Sequence, residues 1–243
     1  MKSKIIVFLV AITFIMMSCL STDKEAIPVV NKEKRLFPVL IDTLPYKVTR
    51  MDVKFKKTGN YKPIFLGKFT DTIIINHYIG NGSMIRDTSA TFKKHFKYYH
   101  RDIGNYTTAS PKNVTISIDT TTIIKQVDFQ GISDGSFIFE AHPLYISNIS
   151  KKDTVSLGFS YDIRTGLEAK NHEGVWQEIE RVTFVGCPVG LKEFVLKPQD
   201  TIITSTPIFK GNFKTKLRLK LGETYSNEFD GYINEQQFIL STF

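Results

Sequence analysis

Cysteine is scarce in this sequence: Cys19 and Cys187 are the only two in 243 residues. A framework of several disulfides is excluded, so a stable fold must be held by burial. Membrane-spanning apolar runs are missing too. Ile5–Met17 is apolar apart from Thr13, but a helix needs about 20 such residues to cross a bilayer core. Catalytic signatures are also absent. There is no G-x-S-x-G, no phosphate-binding glycine loop and no H-E-x-x-H, since His172-Glu-Gly-Val-Trp176 fails at its last position. Gly131-Ile-Ser-Asp-Gly135 lacks the spaced carboxylates of a calcium loop. The sequence therefore points to no catalytic residue, no metal and no cofactor. Apolar material is plentiful, at 42% hydrophobic and 12% aromatic residues, which excludes a disordered chain.

The N-terminus has a recognisable layout. Lys2 and Lys4 precede the short apolar run, and Ser18 and Cys19 follow it. A basic start, a short apolar core and a small residue form a secretory signal pattern. With Cys19 at the break, the segment resembles a bacterial lipoprotein signal, although Met16 stands where that family usually has Leu. The resemblance implies that 1–18 is removed, that the Cys19 thiol is acylated and that Cys19 becomes the mature N-terminus. Two or three acyl chains make a stable anchor where one holds only marginally. Leu20-Ser-Thr-Asp23-Lys-Glu25 is similar to the export stretch of Bacteroidota surface lipoproteins, and position 20 is not the Asp of the enteric retention signal. The implied location is the cell envelope, anchored by lipid in the outer membrane. A lipidated Cys19 leaves Cys187, in Val185-Gly-Cys-Pro-Val-Gly190, without a disulfide partner. That thiol is either a buried small hydrophobe or an exposed reactive group.

The formal charge is +8. Removing 1–18 takes away Lys2 and Lys4 and leaves a moderately basic chain that favours anionic neighbours. Residues 19–45 read as a tether, with Pro28, Pro38, Pro45 and the charged Lys32-Glu-Lys-Arg35.

The remainder reads as all-β. Residues 46–112 are expected to be a smaller β-rich region and 113–243 an Ig-like β-sandwich of about eight short strands. Val114–Ile118 alternates, and Asp134-Gly135 marks a hairpin before Ser136–Phe139. Pro143–Ile146 is a strand, and Asn171–Gly174 is a turn between Gly166–Ala169 and Val175–Glu180, with Arg181–Val185 continuing outward. Lys214–Leu221 alternates strictly, basic residues at even positions and leucines opposite, which gives one solvent face and one core face. Gly231–Ile233 and Gln237–Leu240 suggest final strands. Asp-Thr recurs at 42, 71, 87, 119, 153 and 200. It is a device for starting strands, because Asp closes a turn and Thr opens an extended run. Phe92, Phe96, Tyr99 and Ile103 have helical spacing after Ser89, although Phe96–His100 also suits a strand.

Few side chains suggest a site. His95, His100 and Asp102 are the best metal candidates, but a spacing of five splits the histidines between faces of either a helix or a strand. Two basic stretches are candidate contacts for anionic ligands: Lys93, Lys94, Lys97 and Arg101, interleaved with aromatics, and the stripe Lys214, Lys216, Arg218 and Lys220. Lysines on such a stripe also discourage edge-to-edge strand pairing. Trp176, after a turn, is expected to anchor the core of the sandwich, with an exposed aromatic for ligand stacking as the alternative. If the Bacteroidota resemblance holds, it implies O-glycosylation at Asp-Thr sites, namely Thr43, Thr72, Thr120, Thr154 and Thr201. The expected function is a non-enzymatic binding or structural module of the envelope. Its partners would be the membrane through the lipid, and envelope glycans or another envelope protein, with no nucleic acid. A glycan-binding or glycan-processing accessory protein and a protease-inhibitor-like module are the alternatives.

Overall fold

The computed structural model describes residues 36–42, 50–52, 57–59, 61–75, 77–79, 83–84, 99–127, 138–159, 162–181 and 192–239. The chain is all-β and of the sandwich type, with no α-helix among the described residues. Residues Phe37–Phe243 form one compact unit. The strands that organise it are β1 (Val39–Ile41), β2 (Phe65–Gly67), β3 (Thr72–Ile74), β4 (His100–Arg101), β5 (Thr107–Thr108) and β6 (Val114–Ile118). They continue with β7 (Ile124–Val127), β8 (Ile138–Asn148), β9 (Val155–Phe159), β10 (Asp162–Ile163), β11 (Thr165–Lys170) and β12 (Trp176–Glu178). The last are β13 (Glu193–Leu196), β14 (Thr201–Pro207), β15 (Phe213–Leu221), β16 (Thr224–Tyr225) and β17 (Phe229–Ile233).

Three five-stranded sheets carry most of the structure. In the first, β8 is central. β14 lies on one edge of it, and β6 and β7 lie end to end along the other. The interruption between β6 and β7 is an Asp-Thr site. Asp119 accepts from the Thr121 backbone N–H (2.9 Å) and hydroxyl (2.6 Å), which folds the backbone into a turn, and the strand resumes only at Ile124. β14 begins at Thr201 as a β-branched run and is buried along all seven residues. β2 pairs with its outer edge, so strands from both sides of residue 113 share this sheet. The second sheet runs β10-β9-β13-β4, with β5 alongside β9. The third runs β12-β11-β15, with β16 and β17 both on the far edge of β15.

One core joins the three sheets. Ile116, Leu144 and Ile202 come from the first, Leu157 and Phe194 from the second, and Leu167, Leu219 and Ile233 from the third. A second cluster lies on the opposite face of the first sheet, where Ile73, Ile124, Tyr145 and Ile203 meet Phe37 and Leu40. The parallel pair β1–β3 belongs to that layer. This double covering explains why β8 and β14 are apolar or β-branched on both faces.

Two expectations change. Gln237–Phe238 is not a strand: Glu235–Phe238 forms a 3-10 turn. Asn234 caps it, its side chain accepting from the Gln236 N–H while the Gln237 side chain accepts from the Asn234 N–H. The run with helical spacing up to Ile103 ends as a turn at Tyr99 and a strand at His100–Arg101, held antiparallel to β13; residues 85–98 lie outside the described residues. Asp134-Gly135 and 182–191, with Cys187, also lie outside them.

Candidate functional site

The third sheet has one face in the core and one in solvent. Leu217, Leu219 and Leu221 of β15 are buried together with Leu167 and Ala169 of β11, so the alternate residues point outward. Directly opposed residues of an antiparallel pair share a face. The register therefore assembles the outer face strand by strand. Lys170 stands opposite Trp176, Glu168 opposite Arg218, Lys220 opposite Tyr225, Lys216 opposite Asp230 and Lys214 opposite Tyr232.

Tyr225 reaches this position through a two-residue turn. Gly222 and Glu223 connect Leu221 to Thr224, and Gly222 sits at φ +58°, a left-handed value that glycine adopts without steric cost. A Cβ there would also lie 2.7 Å from the Ala109 carbonyl oxygen.

Arg218 is the centre of the face. Its Nε and Nη2 both lie 2.8 Å from Glu168 Oε2. Its guanidinium carbon is 4.1 Å from the centroid of Trp176 and 4.0 Å from that of Tyr225. The two rings arrive from opposite sides of β15, so the guanidinium lies between them. A planar, weakly hydrated cation suits that slot, and each such contact contributes about 0.5–1 kcal/mol at an exposed site. Lys170 adds a second cation 4.8 Å from the Trp176 centroid. Glu168 is buried although it points outward, because Arg218 and Lys220 cover it.

Most cations of the face meet a carboxylate. Lys216 pairs with Asp230 at 3.0 Å, Lys170 with Glu228 at 3.4 Å, and Lys220 lies 3.8 Å from Glu168. Lys214 has no carboxylate partner among the described residues.

Trp176 is therefore not a core anchor. It is half-buried on the solvent face, since its antiparallel partner Lys170 points outward. The stripe Lys214, Lys216, Arg218 and Lys220 does share one face. Of the other basic stretch, Arg101 is exposed on β4 in a different sheet, and Lys93, Lys94 and Lys97 lie outside the described residues. Asp102 is exposed beside Lys192, His95 lies outside the described residues, and no three metal-ligating side chains converge among the described residues. Thr72 and Thr120 are exposed and Thr154 is half-buried. Thr201 is buried with its hydroxyl 2.8 Å from that of Ser147, so it is closed to modification in the folded chain. Thr43 and Cys19 lie outside the described residues.

Sequence reasoning did not single out Glu168, Lys170, Tyr225 or Tyr232. The signal for Tyr225 was available: a two-residue Gly-Glu turn after Leu221 sets it opposite Lys220. Glu168 and Lys170 alternate with Leu167 and Ala169 and could have been assigned outward in the same way.

No protein-family model, curated protein or solved structure matches this chain.

Proposed function

We propose that this chain is a non-enzymatic binding module of the cell envelope. It is held in the outer membrane through a lipid on Cys19 and engages another envelope component through the outer face of β11, β12 and β15–β17. The observation that carries this reading is the placement of Arg218 between Trp176 and Tyr225 on a solvent-facing sheet. Aromatic rings held open beside cations are poor at stabilising a core and well suited to contacting a ligand. The lipoprotein-like signal supports the location, and a sandwich scaffold supports a role that lives in a grafted surface.

Two measurements test it. Cell fractionation of the wild type and Cys19→Ala should place the wild type in the outer membrane and release the variant. The purified full chain carrying Cys19→Ala should sediment with washed envelope fragments, and Tyr225→Ala with Lys214→Ala should reduce that sedimentation. A variant that stays membrane-bound as firmly as wild type would remove the anchor. A protein that ignores envelope fragments would remove the binding role.

A further inference from the structure

We infer that the ligand of this face is a glycan chain whose sugar rings stack on Tyr225, Tyr232 and Trp176, recognised by ring contact and hydrogen bonding rather than by negative charge. The inference rests on the binding-module reading above and narrows it to one chemical class.

The charges of the face argue against a polyanion. Lys216, Arg218 and Lys170 already face Asp230, Glu168 and Glu228. Affinity for a polyanion comes from free cations that displace its counterions. Cations neutralised in place have little to offer, and a polyanion would bring its charge against those same carboxylates. Of the five cations of the face, only Lys214 lacks a carboxylate within reach among the described residues, and one free ammonium is too little to hold a polyanion.

The rings argue for stacking. Tyr225 is 42% exposed and Tyr232 is 46% exposed, so ring surface remains open to a ligand. The guanidinium between Trp176 and Tyr225 fixes their orientation before any ligand arrives, which lowers the ordering cost of binding. A sugar ring offers an apolar C–H face to an aromatic ring and hydroxyls at its edge. Those hydroxyls both donate and accept, and the neighbouring ammonium and carboxylate groups supply acceptance and donation in turn. Rings carried on β12, β16 and β17 are spread across one sheet, an arrangement that matches a chain molecule.

The test is affinity electrophoresis of the full chain carrying Cys19→Ala, in gels containing a neutral β-glucan, a neutral mannan, heparin, single-stranded DNA or no polymer. At least one neutral polysaccharide should retard the protein, with retention little changed between about 50 and 200 mM salt, a range over which polyanion binding collapses. Tyr225→Ala and Tyr232→Ala should each weaken retention on the order of tenfold, with single cooperative melts showing that the fold is intact even where Tyr225→Ala loses its contact with Arg218. Retardation by heparin or DNA alone, lost with salt, overturns the inference in favour of a polyanion. Retention that is indifferent to both tyrosines overturns it as well. If the protein sediments with envelope fragments through this face and neither neutral polysaccharide slows it, the glycan inference falls and the binding module stands. If sedimentation fails too, both fall.

Discussion

Tyr61 donates a 2.5 Å hydrogen bond to Glu180, joining two buried residues 119 positions apart. Burial pushes the Tyr61 phenol well above its ordinary pKa, and the Glu180 carboxylate beside it adds to the effect. Gly59 leaves room for the pair: a Cβ there would lie 2.7 Å from the Tyr61 ring and 2.8 Å from Glu180 Oε2. Tyr61→Phe keeps the ring and removes the donor, so a buried carboxylate loses a partner. Such a loss costs about 1–3 kcal/mol, and urea unfolding should show the midpoint falling with the slope unchanged. Gly59→Ala should be destabilising for a different reason, because neither crowded group can retreat into solvent. A Tyr61→Phe midpoint equal to wild type would show that the hydrogen bond contributes nothing net.

Asn227 holds the third sheet to the first. Its side chain accepts from the Ile118 N–H at 2.8 Å and donates to the Ile118 carbonyl at 3.2 Å, standing in for a strand at the end of β6. Asn227→Ala removes both bonds and should cost about 1–2 kcal/mol. Asn227→Asp keeps the acceptor and loses the donor, and a carboxylate against the Ile118 carbonyl is repulsive. The aspartate variant should therefore gain stability as pH falls and its carboxyl protonates, whereas the alanine variant should not. Thermal melts of the two variants at pH 4 and pH 7 separate these outcomes.

Arg218 and Glu168 make a further test, because the pair lies under solvent rather than in the core. Arg218→Met leaves Glu168 buried with only Lys220 at 3.8 Å and removes the cation between two rings. The expected loss is about 1–3 kcal/mol. Arg218→Lys keeps the charge but cannot present a planar fork between Trp176 and Tyr225, so it should recover only part of that loss. Full recovery by lysine would reduce the contact to simple charge. Chemical denaturation of the three proteins in parallel decides the matter.

Where the sequence was legible, one physical signal dominated. Val114–Ile118 and Phe213–Leu221 alternate because each has one face in the core, and a period of two survives without knowledge of the partner strands. Of β8, only the continuously buried centre Pro143–Ile146 reads as a strand; its partly exposed ends carry Glu140, His142 and Ser147, which do not. Trp176 is assigned to the core on residue type alone, whereas the alternation that exposes Glu178 on its own face and buries Ile179 on the other places it outward. The end of the chain misled in the opposite sense: Gln237-Phe-Ile has strand-like composition, but a local cap from Asn234 tightens it into a turn. The stripe on β15 was visible as charge, and the acids that answer it were not, since Glu168, Glu228 and Asp230 come from separate segments.

Alkaline pH should unfold this protein earlier than its neutral stability suggests. Tyr61, Tyr99 and Tyr145 all have phenols raised above their ordinary value, in each case first by burial. Asp200, which accepts from Tyr99 at 2.8 Å, and Asp119, whose charge acts on Tyr145, raise them further. A raised phenol keeps its proton in the fold while the unfolded chain releases it near pH 10. Stability from these groups is therefore complete below about pH 10 and is lost as pH climbs toward the folded values. Asp119 acts at the other end of the scale. Burial works to raise its carboxyl, but hydrogen bonds from the Thr121 and Thr122 side chains and backbones outweigh burial and hold it below its usual value. Its contribution is present above the ordinary aspartate range near pH 4 and is lost as pH falls through the lowered value. Urea midpoints measured from pH 3 to pH 11 should fall at both ends. Tyr99→Phe and Tyr145→Phe should flatten the alkaline fall, each to its own share, and Asp119→Asn should flatten the acid one. An alkaline limb unchanged in both of these variants and in Tyr61→Phe would assign that loss of stability to lysine deprotonation instead.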